Sequence, residues 1–239
     1  MQKNPYLGKF IVFEGLDGSG KSTQTDLLLK RLIKEGFETI SFDFPQHGDR
    51  SATMVDDYLT GKYGSADQIT PYQASIFYAS DRFEASFRIK AELEQGKIVV
   101  CDRYAASNMA FQGGKIKDSA ERKKFYHWVY DLEYNIFKIP KPDINLILKT
   151  SPELSIEMAD SGKIFNTKKL LRRQSYLGEK NQDIHESDSL LQKRASDCYS
   201  EMTREFPQDF IIIDCLVQGK MLPAEIIHEK IWEQVKKII

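Results

Sequence analysis

The stretch Gly15-Leu16-Asp17-Gly18-Ser19-Gly20-Lys21-Ser22 constrains this chain more than any other. It has the spacing G-x-x-x-x-G-K-[ST] of a loop that wraps phosphates. Apolar Phe10-Ile11-Val12-Phe13 precedes it and reads as a buried strand, and Thr23 to Ile33 follows with leucines at helical spacing. Such glycines let the backbone approach closely enough to aim N–H groups at phosphate oxygens. The helix N-terminus adds partial positive charge at the same place. Lys21 is placed to reach the β- and γ-phosphates, and the Ser22 hydroxyl to ligand Mg²⁺. Gly15 through Thr23 is therefore the candidate triphosphate site, every residue of it included: Gly15, Leu16, Asp17, Gly18, Ser19, Gly20, Lys21, Ser22 and Thr23.

Strand-like and helix-like segments alternate along the rest of the chain. Thr39 to Phe44 alternates as a second strand closed by Pro45, which has no N–H to give a ladder. Pro71 opens a long helix to Gln95, whose expected buried stripe is Ile76, Phe83 and Phe87. Lys97 to Asp102 is a third strand ending in an acid. Ala105 to Gln112 reads as a helix broken by Gly113-Gly114, and Ser119 to Phe137 as another, stopped before Pro140. Ile144 to Leu148 and Phe210 to Asp214 complete five strands, with helices from about Pro152, from Asp188 to Phe206, and from Pro223 to Ile238. Such alternation implies a parallel sheet covered on both faces, a three-layer α/β/α arrangement. Because the sheet draws on the whole chain, residues 1–239 read as a single domain. Ligands in such folds bind at the carboxyl ends of the strands. That places Asp17, Phe44-Pro45 and Asp102-Arg103 among the candidates.

Composition narrows the partners. A net charge of -1 gives no general attraction to nucleic acid or to an anionic membrane. No apolar run approaches the roughly 18 residues of a membrane span, and Met1 to Lys9 lacks the apolar core of a secretory signal. The three cysteines, Cys101, Cys198 and Cys215, are far apart and without C-x-x-C spacing. Buried free thiols in a reducing cytosol are the expectation, and with it a cytoplasmic location.

A phosphate loop alone leaves switch GTPases, motor ATPases and small-molecule kinases open. The guanine-reading N-K-x-D after a strand is missing from the sequence. Asp102 can hold Mg²⁺ through water, and Arg103 can clamp a second phosphate group with its planar fork of donors.

At this point the chain resembles the thymidylate kinase family over essentially its full length. Asp102-Arg103-Tyr104-Ala105-Ala106-Ser107-Asn108-Met109-Ala110-Phe111-Gln112-Gly113 resembles the family signature D-R-Y-x-x-S-x-x-A-[YF]-x-G at nearly every position. Phe44-Pro45 and Tyr78-Ala79-Ser80-Asp81-Arg82 are further matching segments. The resemblance implies a P-loop fold with a mobile lid at about 160–188, and the reaction ATP + dTMP ⇌ ADP + dTDP with Mg²⁺ held by Ser22 and Asp102. It implies that Tyr78 stacks on thymine, Arg82 donates to a thymine carbonyl, Asn108 meets the pyrimidine edge and Phe111 lies against the sugar. Arg103 would hold the dTMP phosphate, with Asp17 near the sugar and the metal, and Phe44, Pro45 and Gln112 belong to the same acceptor site. Homodimerisation is also implied.

Two departures stand out. An arginine often found two positions after Phe-Pro is His47 here, the nearest arginine being Arg50, and an arginine some members carry after the loop acid is Gly18. The missing charge would come from the basic lid residues Lys163, Lys168, Lys169, Arg172, Arg173 and Lys180, with Arg172 or Arg173 acting on the transition state beside Lys21. Asp183 to Asp188 resembles the family's lid-closing segment. Two other readings remain beside this one: a deoxynucleoside kinase of related fold, and a P-loop regulatory ATPase with no small-molecule acceptor.

Overall fold

The structure is a computed structural model that describes residues 4–65, 68–160 and 189–239. Five parallel strands are ordered β2-β3-β1-β4-β5: β1 (Lys9–Gly15), β2 (Thr39–Asp43), β3 (Ile98–Asp102), β4 (Ile144–Lys149) and β5 (Phe210–Asp214). The three inner strands are buried at nearly every position because both faces of the sheet are covered.

Eight helices are described: α1 (Lys21–Lys34), α2 (Thr53–Leu59), α3 (Pro71–Glu94), α4 (Ala105–Gly113), α5 (Ser119–Tyr130), α6 (Pro152–Asp160), α7 (Ser189–Glu205) and α8 (Ala224–Val235). On one face of the sheet, Leu28 and Leu32 of α1 and Ile227 and Ile231 of α8 pack on Ile11, Phe13, Val100 and Leu146. On the other, Ala85, Ile89 and Leu93 of α3 pack on Phe10, Val12, Val99 and Cys101. A third cluster joins α4, α5 and α7 through Met109, Phe125, Tyr126, Tyr199 and Met202. The three cysteines are buried and free, as expected.

Helix α3 departs from expectation in its orientation. Thr70 caps it in a capping box with Gln73, and Pro71 opens it, as the sequence suggests. The stripe Ile76, Phe83 and Phe87 faces outward instead, at 46%, 40% and 60% exposure. The buried face is made of small residues as far as Ser86, namely Ala74, Ser75, Ala79, Ala85 and Ser86, interrupted by Asp81 and Arg82, and of Ile89 and Leu93 beyond them. Phe83 packs instead on Phe87 and Phe137, with ring centroids 5.3 and 5.1 Å apart.

The helix expected over Ser119 to Phe137 changes character part-way. It is α-helical to Tyr130 and then widens into a π-helical turn over Asp131–Ile136. That extra residue per turn accompanies a buried glutamate, Glu133, at its centre. A hairpin of β6 (Leu216–Val217) and β7 (Lys220–Met221) was not foreseen, since two residues per strand are too few to show an alternating pattern.

Candidate active site

The phosphate loop leaves the carboxyl end of β1 at Gly15 and enters α1 at Lys21. Gly18 has a left-handed φ of 80° and a second constraint beside it. A Cβ there would lie 2.0 Å from the Ser155 carbonyl oxygen of α6. The departure from family members with an arginine at this position thus has a steric reason: α6 occupies the space. Lys21 Nζ donates to the Leu16 and Gly15 carbonyls at 2.6 and 3.1 Å, which holds its ammonium against the loop backbone. Ser22 and Thr23 are partly exposed in the first turn of α1.

Strand β3 delivers Asp102 and Arg103 beside this loop. The Arg103 N–H donates to the Phe13 carbonyl at 2.8 Å, and its φ of 69° lies in the left-handed region. Such a conformation in a non-glycine residue persists only where its surroundings hold it. Its guanidinium makes a 2.5 Å ion pair with Asp17 Oδ1 and donates to Gly15 O at 3.1 Å and Ser107 Oγ at 3.0 Å. It also lies 5.0 Å from the centroid of the Phe111 ring. Four candidates from the sequence, Gly15, Asp17, Arg103 and Phe111, are therefore brought together. Burial would raise the Asp17 carboxyl, but Arg103 and Lys21 beside it hold it well below the usual carboxylate range.

Asp102 is buried at the end of β3, in register with Asp43 of β2. Among the described residues, no group of three or more His, Cys, Asp or Glu side chains is arranged to hold a metal ion. Ser22 and Asp102 offer oxygen donors only. That fits Mg²⁺, which keeps waters and substrate phosphate oxygens rather than entering an all-protein cage.

The acceptor candidates lie where α3 meets α4. Asn108 Nδ2 donates to the Ser75 carbonyl at 3.3 Å, while its Oδ1 is buried without a protein partner. One turn further, Gln112 is fully buried, and neither amide atom has a hydrogen-bond partner among the described residues. Buried amides left in this state are costly unless a polar ligand completes them. Tyr78, three residues after Ser75, is half-buried and edge-on to Tyr58. Arg82, one turn on, is 2% exposed and donates from Nε and Nη2 to Glu133 of the π-helical turn.

Phe44 packs against Tyr104, and a cis peptide joins it to Pro45. The following loop is tied down by Asp81, which accepts from Gln46 N at 2.9 Å and Ser51 Oγ at 2.7 Å. His47 Nδ1 pairs with Asp56 Oδ1 at 2.5 Å, and Arg50 is exposed. The candidates Arg172 and Arg173, the lid lysines and the segment from Asp183 to Asp188 lie outside the described residues.

Sequence reasoning missed four side chains here. Glu14 is fully buried next to the loop, and Glu133 is the partner of Arg82. Gln192 Nε2 of α7 donates to Asp17 Oδ2 at 3.0 Å, and Tyr199 of the same helix donates to Glu14 Oε2 at 3.0 Å. Only Glu14 left a signal, a charged residue inside an otherwise apolar strand.

A phosphate loop and an aspartate–arginine turn on neighbouring strands of a β2-β3-β1-β4-β5 sheet define a P-loop phosphotransferase of nucleotide-kinase type. The thymidylate kinase family model matches residues 13–231. The chain belongs to the thymidylate kinase family. A thymidylate kinase of Thermoanaerobacter sp. (strain X514) is 29% identical over 233 residues, covering 97% of this chain and 99% of the relative. That of Caldanaerobacter subterraneus subsp. tengcongensis is 30% identical over 208 residues, 87% of each chain. The solved thymidylate kinase of Candida albicans superposes with a TM-score of 0.68 at 24% identity, covering 96% of this chain and 92% of that one, and shares the fold.

Proposed function

We infer that this protein transfers the γ-phosphoryl group of ATP to the phosphate of dTMP, giving ADP and dTDP. The observation that carries this reading is the meeting of Arg103, Asp17 and Phe111 beside the phosphate loop, together with the Asn108 Oδ1 and the Gln112 amide, which have no hydrogen-bond partner among the described residues. Lys21 takes the donor phosphates and Arg103 the acceptor phosphate. Tyr78 stacks on the base, Arg82 and Asn108 read its edge, and Phe111 excludes a ribose 2′-hydroxyl, with Phe44, Pro45 and Gln112 completing the wall. Asp17 fixes Arg103 and borders the sugar. Ser22 and Asp102 would hold Mg²⁺, which when bound neutralises charge on the phosphates. Transfer of this kind proceeds through a loose transition state, so oriented cations do most of the work. With Gly18 in the loop, a further cation comes from Arg172 or Arg173 of the lid at about 160–188, in a single domain over 1–239.

The outward stripe of α3, with Phe83, Phe87 and Ile76 exposed, supports a homodimer of this chain, which sedimentation equilibrium tests. No described helix is long and apolar enough to cross a membrane, and a cytoplasmic location accords with the buried free thiols.

An ATP-coupled assay over dTMP, dUMP, UMP, CMP, AMP and GMP tests the reading. dTMP is expected to be fastest, and a best rate with AMP or CMP would overturn the acceptor assignment. In the same assay at saturating substrates, Arg172→Ala or Arg173→Ala is expected to lower kcat on the order of 10²-fold. If neither lowers it threefold, the further cation lies elsewhere.

A further inference from the structure

Glu14 is the one fully buried charge of β1, and it is built into the turn that carries Arg103. Its Oε1 accepts the backbone N–H of Tyr104 at 2.9 Å and of Ser107 at 3.2 Å. Its Oε2 accepts the hydroxyls of Ser107 at 2.5 Å and Tyr199 at 3.0 Å. Tyr104 and Ser107 are the N-cap and third residues of α4, and no side chain of its own caps that helix. A carboxylate from another strand thus does what an N-cap side chain ordinarily does. The four groups reaching Glu14 act as donors to it, so the acceptor-only, ionised carboxylate is the form this cage fits. Burial pushes the Glu14 carboxyl up, and the surrounding donors and Arg103 oppose that shift.

The cage borders Arg103 at its backbone and at one of its side-chain partners. Its left-handed backbone is flanked by the hydrogen bond from its own N–H to Phe13 and by that from Tyr104 N–H to Glu14. Its side chain donates to Ser107 Oγ, the same hydroxyl that donates to Glu14. We propose that Glu14 is a positioning residue of the phosphoryl-transfer site, holding Arg103 in the conformation that receives the acceptor phosphate. Tyr199 ties that hold to α7. The proposal rests on Arg103 being the acceptor-phosphate clamp of the preceding section.

The test is the change in KM for dTMP against KM for ATP in Glu14→Gln, Arg103→Ala and the double variant, with melting temperatures recorded. Glutamine keeps the shape but turns N–H groups toward donors, so KM for dTMP is expected to rise about 10-fold or more. KM for ATP is expected to stay within about threefold, because Lys21 also bonds the Leu16 carbonyl and the cage reaches the loop through Arg103. In the Arg103→Ala background, Glu14→Gln should add less than about threefold, since it acts through Arg103. A lowered melting temperature with both KM values unchanged would mean that Glu14 only holds the fold, and would overturn the proposal. So would an undiminished effect in the Arg103→Ala background. If Arg103→Ala itself leaves KM for dTMP unchanged, the clamp assignment falls and this proposal with it. If Arg103→Ala raises KM and Glu14→Gln does not, only the proposal falls. Should Glu14→Gln fail to fold, Tyr199→Phe removes one of the four bonds and is read by the same ratio. About a threefold rise in KM for dTMP supports the proposal, and no rise overturns it.

Discussion

Two arginines sit in this molecule against one carboxylate each, and their surroundings differ. Arg103 is 13% exposed and pairs with Asp17, which is 31% exposed at the edge of the phosphate loop. Arg82 is 2% exposed and pairs with Glu133, which is not exposed at all. Water at the first pair makes it cheap to exchange one anion for another. Arg103 can give up part of its bonding to Asp17 when a phosphate arrives, since the incoming oxygens replace what is lost. The second pair has no such freedom. Separating it would leave a bare charge in the interior, so Arg82 is a fixed fork. Two of its nitrogens, Nε and Nη2, serve Glu133, which leaves Nη1 as the donor for the base under the proposed function. Under the proposed function, one arginine follows a charged group and the other checks the shape of a neutral one.

The sharpest way to break this comparison is to remove the mobile member. Arg103→Ala deletes the charged donor fork proposed to hold the acceptor phosphate, and kcat/KM for dTMP is expected to fall on the order of 10³-fold. Its melting temperature should move by no more than a few degrees, because Asp17 retains Gln192 as a partner and partial access to water. A large loss of stability with little loss of activity would invert the assignment, making Arg103 the structural arginine of the two.

What the sequence disclosed about these two sites follows from how each is built. The phosphate loop is legible because eight consecutive residues must wrap one group, so chemistry is written as local spacing. Arg103 is legible for the same reason, lying beside Asp102 at a strand end. The pair Arg82–Glu133 is not, because 51 residues separate its members and a π-helical turn aims the glutamate. A 3.6-residue period carried through Phe137 cannot show that turn. Helix α3 shows a second limit. Ile76, Phe83 and Phe87 form a regular stripe, yet size and periodicity do not say which face is inward when the packed face is mostly alanine and serine before Ile89 and Leu93. The expected lid lies outside the described residues, and the sequence offers for it a basic stretch and, by resemblance, the segment Asp183 to Asp188.

The smaller effect sharpens the comparison from the other side. Glu133→Gln keeps the volume of the side chain and removes its charge, so no cavity accompanies the change. Burial alone would lower the Arg82 pKa, and the glutamate is what holds it above its ordinary value. Without that partner the buried guanidinium is left uncompensated. Breaking such a pair costs about 3–5 kcal/mol. In a chain of this size that is a fall in Tm on the order of 10 °C, readable by calorimetry. At temperatures where the variant remains folded, the fork is no longer aimed by a bidentate partner, and KM for dTMP is expected to rise about 10-fold with kcat nearly unchanged, as befits a contact equal in the ground and transition states. The two readings are separable. A fall in Tm without a change in KM would leave Arg82 as a packing device and move base recognition to Asn108 and Gln112. A KM effect without a fall in Tm would show that water reaches the pair, and the contrast with Arg103 would then be one of position alone.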